Sequence, residues 1–316
     1  SELADKRVAK VTDVVKEGDQ VKVKLEMIKR ITRDHGFIAA LDQSGGSTPS
    51  ALKRYGVSLG LYEDADGMFD YVHDMRSRLI KADAFNKDYV TGAILFEDTV
   101  DRLIDGIPTS EYLWQNKKIV PFLKIDCGLR DTKNGVQVMK YIHDLDSKLD
   151  KANAHNIFGT KMRSLIHEPD PEGIKLIVKQ QFAIAKIIIS KGLVPIIEPE
   201  VSIFCEDKTL AEQILKQEIS SKLEELDSSQ VVMLKITIPE EPNFYSDFTS
   251  HPNVLKVIAL SGGYKRAEAC YKLAKNDKVA ASFSRALLEG LFFFQSAEDY
   301  TRQLAYNVSS IFDASA

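Results

Sequence analysis

Cysteine is scarce in this chain: three in 316 residues, Cys127, Cys205 and Cys270, far apart and odd in number. Without a CxxC pair a zinc ribbon or a disulfide framework is excluded, and a reducing compartment fits best. The six histidines, His35, His73, His143, His155, His167 and His251, never fall into HxH or HExxH spacing, so no metal site is expected. GxGxxG and Walker patterns are missing too, which removes support for a nucleotide, and no cofactor is expected. No apolar run approaches a membrane span, and the first residues carry no apolar signal core. These absences read as a cytoplasmic protein with no membrane partner. Charge of one sign is also lacking. Against 46 acidic residues stand 42 basic ones, a net charge of -4 that gives no reason to expect nucleic acid. Linkers rich in Gly, Pro or Ser and low-complexity tracts are absent, so one large domain is expected although the length alone allows two.

What is present is ordinary in bulk and ordered in detail. Hydrophobic content of 44% and charged content of 28% suffice for a large core. From residue 36 onward, short apolar runs alternate with longer amphipathic stretches. The runs are Phe37 to Asp42, Ala93 to Glu97, Val120 to Asp126, Phe158 to Arg163, Leu193 to Glu200, Val231 to Thr237, Val254 to Ser261 and Val279 to Arg285. Near-continuous apolar strands between helical patterns argue for buried parallel strands in βα units. Eight units is the count of an α/β fold of the single (β/α)8 TIM-barrel type, with a doubly wound open sheet as the alternative. Helical spacing fills Gly173 to Ser190 and Leu210 to Leu226. Thr48-Pro49 has the form of an N-cap followed by proline in the first turn.

The N-terminal 25 residues form a separate segment, with the barrel assigned to 26–316. Arg7 to Leu25 reads as two short strands around Gly18-Asp19 and resembles a piece of an S1-type RNA-binding domain. Such a domain is a five-stranded barrel. This stretch is too short to close one, so residues 1–25 are expected to be an extension without a binding face of its own.

Charged and hydroxyl groups collect where the apolar runs end. Lys235, in Val231-Val232-Met233-Leu234-Lys235-Ile236-Thr237, is the most telling, because burying an ammonium is costly unless it is paired or neutralised. Taken alone, it reads either as a structural ion-pair partner or as an amine kept for nucleophilic work. Side chains two apart on a strand share a face. Lys124 with Asp126, Lys161 with Arg163, and Glu198 with Glu200 therefore form same-face pairs. In a parallel barrel the C-terminal strand ends meet at one mouth. Asp42, Asp126, Glu198 and Glu200 would there face Lys124, Lys161, Arg163, Lys235 and Arg285. A few exposed rim pairs contribute little, but a set drawn from most strands implies a site.

Two segments read as anion grips. Ser261-Gly262-Gly263 follows one run and precedes the helical stretch Lys265 to Ala274, so backbone N–H groups and a helix start converge there. Ser282-Phe283-Ser284-Arg285 follows the next run and adds a guanidinium suited to phosphate. On the other side, Asp42-Gln43-Ser44-Gly45-Gly46-Ser47, with Lys124 and Arg163, offers a second grip. Two anion sites flanking a lysine suggest a small substrate phosphorylated at both ends.

With these segments assembled, residues 27 to 315 strongly resemble the bacterial form of class I fructose-1,6-bisphosphate aldolase. The resemblance rests on Gly36 to Pro49, Phe158 to Ser164, Leu193 to Glu200, Val232 to Lys235, Ala259 to Gly263 and Ala281 to Arg285, six motifs in the family's order. It implies reversible Schiff-base cleavage of fructose 1,6-bisphosphate to dihydroxyacetone phosphate and glyceraldehyde 3-phosphate, without metal or cofactor, within glycolysis. Lys235 matches the imine-forming lysine, Glu198 the acid/base carboxylate with Glu200 beside it, Asp42 the carboxylate at the C4 hydroxyl, and Lys161 the lysine next to the imine. Ser261, Gly262, Gly263, Ser284 and Arg285 correspond to the C1-phosphate grip; Ser44, Ser47 and Lys124 to C6-phosphate contacts; Arg163 to a nearby arginine.

The chain departs from the family's animal members at three places. It ends Ile311-Phe312-Asp313-Ala314-Ser315-Ala316, without their terminal tyrosine; Cys127 stands in place of a lysine, and Ser284 in place of a glycine. A homo-oligomer is compatible with the sequence. The alternatives are another Schiff-base sugar-phosphate enzyme, such as a transaldolase-like one, and a non-catalytic aldolase-like scaffold.

Overall fold

Period-two alternation decides what each strand shows to either side, and the structure, a computed structural model describing residues 18–44 and 48–315, realises it as a barrel. Its strands are β1 (Phe37–Leu41), β2 (Val90–Leu95), β3 (Val120–Lys124), β4 (Gly159–Ile166), β5 (Val194–Val201), β6 (Val232–Thr237), β7 (Val254–Leu260) and β8 (Val279–Ala281). They pair in parallel in that order. The Ala40 N–H donates to the Phe283 carbonyl at 3.2 Å, drawing the segment after β8 alongside β1 and closing the ring. All eight expected runs are strands.

One parity faces the helices and the other the barrel axis. Ala39, Leu41, Ala93, Leu95, Leu123, Met162, Ile197, Leu234, Ile236 and Val257 belong to the large core beneath the outer helices. Those helices include α1 (Gly18–Arg33), α2 (Thr48–Tyr55), α3 (Ala65–Lys81), α4 (Pro171–Ser190), α5 (Lys208–Glu224) and α6 (Arg266–Leu273). The opposite parity builds a second core from Ile38, Ile94, Val120, Phe122, Val194, Ile196, Met233, Ile258 and Ala280. Higher on the same faces come Asp42, Lys124, Lys161, Glu198 and Lys235. The barrel interior is thus apolar below and charged above, as a packed barrel with its chemistry at the C-terminal face requires.

Residues 18–25 are helical, not the strand expected from Val21 to Leu25, and a division of the chain at residue 25 cuts through α1. Alternating Val and Lys suits either period over five residues. The continuation decides it, because Val23, Met27, Ile28 and Ile31 make one helical stripe that packs into the inner core. Lys24 Nζ donates to the Gly192 carbonyl (3.0 Å), and Arg30 to the carbonyls of Lys118 (3.2 Å) and Val90 (3.0 Å). These carbonyls lie where β5, β3 and β2 begin, so α1 covers the N-terminal end of the barrel. The strand expected before Gly18 lies outside the described residues. Among the described residues, no helix is long and apolar enough to cross a membrane.

Candidate active site

Continuing each inward-facing parity to the strand ends brings charged groups into one cavity of about 650 Å³. Asp42, Ser44, Lys124, Lys161, Arg163, Glu198, Glu200, Lys235, Ser261, Gly262, Ser284 and Arg285 all line it. Gly263 lies just beyond, and Ser47 falls outside the described residues. Glu97, another run-ending acid, instead begins the short helix Glu97–Asp101 and pairs with Lys148 and Lys151 away from the cavity.

Lys235 is 3% exposed, with Nζ 3.0 Å from Glu198 Oε1. The other Glu198 oxygen is 2.6 Å from Lys161 Nζ, which is 2.9 Å from Asp42 Oδ2. A chain of alternating charge, Lys235–Glu198–Lys161–Asp42, thus crosses the barrel floor. Burial works against every charge in it, and the charges sustain one another. Burial alone would push the Asp42 carboxyl up, but Lys161, Lys235 and Lys124 hold it well below the usual carboxylate range. Burial would equally strip Lys161 of its proton, yet Asp42, Glu198 and Asp126 hold its ammonium well above the ordinary lysine value. Lys161 is therefore a fixed cation and Asp42 a fixed anion.

Around this chain lie further charged groups and a glycine turn. Lys124 Nζ is 2.8 Å from both Asp126 Oδ1 and the Asp126 carbonyl, and Arg163 Nε is 2.6 Å from Glu200 Oε2. Gly262 has φ +60° and Gly263 φ +126°, which turns the backbone after Ser261 back on itself; the Tyr264 N–H closes the turn on the Ser261 carbonyl at 3.0 Å. Arg285 has its guanidinium pKa lowered, by burial first and then by the like charges of Arg54 and Arg163. Cations gathered in one cavity favour an anionic ligand.

Sequence reasoning missed Arg54, on α2, which reaches the cavity, and Ser50, which lines it; Gln43, inside the segment expected as the second grip but not singled out there, lines it as well. A helical arginine two residues past Leu52 reads as solvent-facing, so no signal singled it out.

Comparison with known proteins identifies the family. The family model described as "Fructose-bisphosphate aldolase class-I" (Glycolytic) matches residues 26–240. A curated relative from Clostridium acetobutylicum, "Fructose-bisphosphate aldolase class 1", is 52% identical over 288 residues, covering 91% of this chain and 98% of its own length. The chain belongs to the class I fructose-bisphosphate aldolases. Among solved structures, the Plasmodium falciparum fructose-bisphosphate aldolase, in complex with TRAP and an inhibitor, matches with a TM-score of 0.72 at 20% identity, over 100% of this chain and 94% of that one. A Corynebacterium glutamicum protein matches at 0.52 with 12% identity, over 92% of each chain. At such identities both speak to the fold alone. Members of this class are metal-independent carbon–carbon lyases, and the resemblance of this chain to the family is borne out.

Proposed function

We propose that the cavity cleaves fructose 1,6-bisphosphate between C3 and C4 through an imine on Lys235, giving dihydroxyacetone phosphate and glyceraldehyde 3-phosphate. The observation that carries this reading is the Lys235–Glu198 contact: a buried amine beside a carboxylate, at the centre of a cation-rich cavity. Six basic side chains line that cavity against four acidic ones, which suits a substrate with a phosphate at each end.

Breaking C3–C4 unaided would leave a carbanion, and a protonated imine takes up those electrons. As the C2 ketone enters, Glu198 accepts a proton from Lys235, and the neutral amine attacks. Glu198 then returns a proton to the carbinolamine hydroxyl, which leaves as water. Lys161 stays cationic throughout. Asp42 accepts the hydrogen bond of the C4 hydroxyl. In the free enzyme it is a weak base, but that hydroxyl proton grows acidic as C4 becomes an aldehyde carbon, so Asp42 takes it during cleavage.

Ser261, Gly262, Gly263, Ser284 and Arg285 hold the phosphate on C1. Ser44 and Lys124 hold the one on C6, and Arg163, kept charged by Glu200, adds positive potential. Borohydride reduction with dihydroxyacetone phosphate, followed by peptide mapping, tests the assignment. The adduct is expected on Lys235 and is expected to vanish in Lys235→Ala; an adduct on Lys161 or Lys124 rejects it.

A further inference from the structure

Arg76 lies in the apolar stripe of α3 beside Val72, Met75, Leu79 and Ile80, and it is 1% exposed. Among the described residues no carboxylate is within ion-pair distance of it, although Asp42 and Asp98 act on it through space. Its Nη1 donates to Thr99 Oγ1 at 2.5 Å, and its Nη2 donates to the Gln43 carbonyl at 2.6 Å and to Gln43 Oε1 at 3.3 Å. At the far end of the same side chain, Gln43 Nε2 is 2.6 Å from Ser284 Oγ and 3.4 Å from the Ala40 carbonyl.

Chemistry orients this amide. A guanidinium has only donors and a carbonyl oxygen only accepts. The Gln43 oxygen must therefore face Arg76, and its NH2 must face Ala40 and Ser284. Ser284 Oγ is then an acceptor toward Gln43, and its single hydrogen has no acceptor among the described residues. Ser284 lines the cavity beside Arg285, so that hydrogen is available to a ligand there. Burial draws the Arg76 pKa down to about 10, which still leaves the donor charged at neutral pH.

We propose that Arg76 and Gln43 are positioning residues that make the Ser284 hydroxyl a dedicated donor to the phosphate at the ketone end of the substrate. This deepens the aldol reading above and rests on it. Arg76 and Gln43 need not touch the substrate. They act by occupying one lone pair of Ser284 and fixing its rotor, so that a phosphate oxygen receives an already aimed hydrogen bond.

The test compares two ketones that form the same imine. Full-length protein is titrated with dihydroxyacetone phosphate and with dihydroxyacetone, reading half-saturation of borohydride trapping. Trapping of neither ketone by the parent protein would sink the aldol reading itself. With trapping intact, Ser284→Ala is expected to cut the preference for the phosphate ester by about tenfold. Gln43→Leu is expected to cut it by roughly threefold to tenfold in the parent, and to add nothing in the Ser284→Ala background. Equal effects of Gln43→Leu in both backgrounds overturn the proposal, as does an unchanged preference in either single variant. Should Gln43→Leu fail to fold, Arg76→Lys, which lacks the two-pronged donor set, replaces it with the same expected pattern.

Discussion

Replacing Lys161 by methionine removes the cation that two buried carboxylates share. Contacts of 2.9 Å to Asp42 and 2.6 Å to Glu198 each amount to roughly 6 kcal/mol at an effective dielectric constant of about 20, before desolvation. Desolvating three ions consumes most of that. What the variant loses is therefore set by the carboxylates left behind, about 3–5 kcal/mol out of a typical total of about 5–15 kcal/mol. The pH dependence distinguishes this from an ordinary packing defect. In the parent, the Asp42 carboxyl lies below its unfolded value, so its contribution is complete above that value and is lost as pH falls through the depressed folded one. In the variant, one of the crowded carboxyls is pushed above its unfolded value. Such a group favours the native state only while protonated, so stability falls as pH rises through the raised value. The gap between parent and variant should widen from about pH 5 to about pH 8. Urea denaturation across that range measures it. A gap constant with pH, or smaller than about 1 kcal/mol at neutral pH, would refute the shared-cation account.

Glu198→Gln should lower kcat by about 10²–10⁴-fold, since in the proposed mechanism both proton transfers of imine formation pass through that carboxylate. Prolonged trapping should still mark Lys235, and a kcat within tenfold of the parent would remove Glu198 from the proton path. Arg54→Ala should raise KM for the bisphosphate by about tenfold with a smaller change in kcat; steady-state kinetics would show an unaltered KM if Arg54 only decorates the rim. Exhaustive treatment with EDTA should leave cleavage intact, and loss of turnover restored by zinc would transfer the electron sink to a metal.

The barrel was legible because its two signals are local. Eight apolar runs mark the strands, and parity within each run puts Lys161, Glu198 and Lys235 on the inward face above Ile196 and Met233. The site's ion pairs build on that parity: register sets Lys161 opposite Ile196 and Arg163 opposite Glu198, and each cation pairs with the carboxylate two positions further on, Lys161 with Glu198 and Arg163 with Glu200. What escaped depends on helices arriving from outside the barrel. Arg54 reaches the mouth from α2, and nothing in its surroundings distinguishes it from a solvated residue. Arg76 did carry a signal: one position from Met75, four from Val72 and Ile80, it sits on the stripe that must be buried. An arginine there needs acceptors, and their identity depends on a crossing geometry that no local pattern encodes. The first turn of α1 was misread because five alternating residues satisfy two periods at once.

Met27, Ile28 and Ile31 stopper the barrel at its foot, which turns the reaction chamber into a cul-de-sac. Among the described residues, arrival and departure then share the mouth at the C-terminal face. In the proposed mechanism the ketose half is tethered to Lys235, so the aldehyde has to exit first, and the water that frees the second product comes in along the route the first has just vacated.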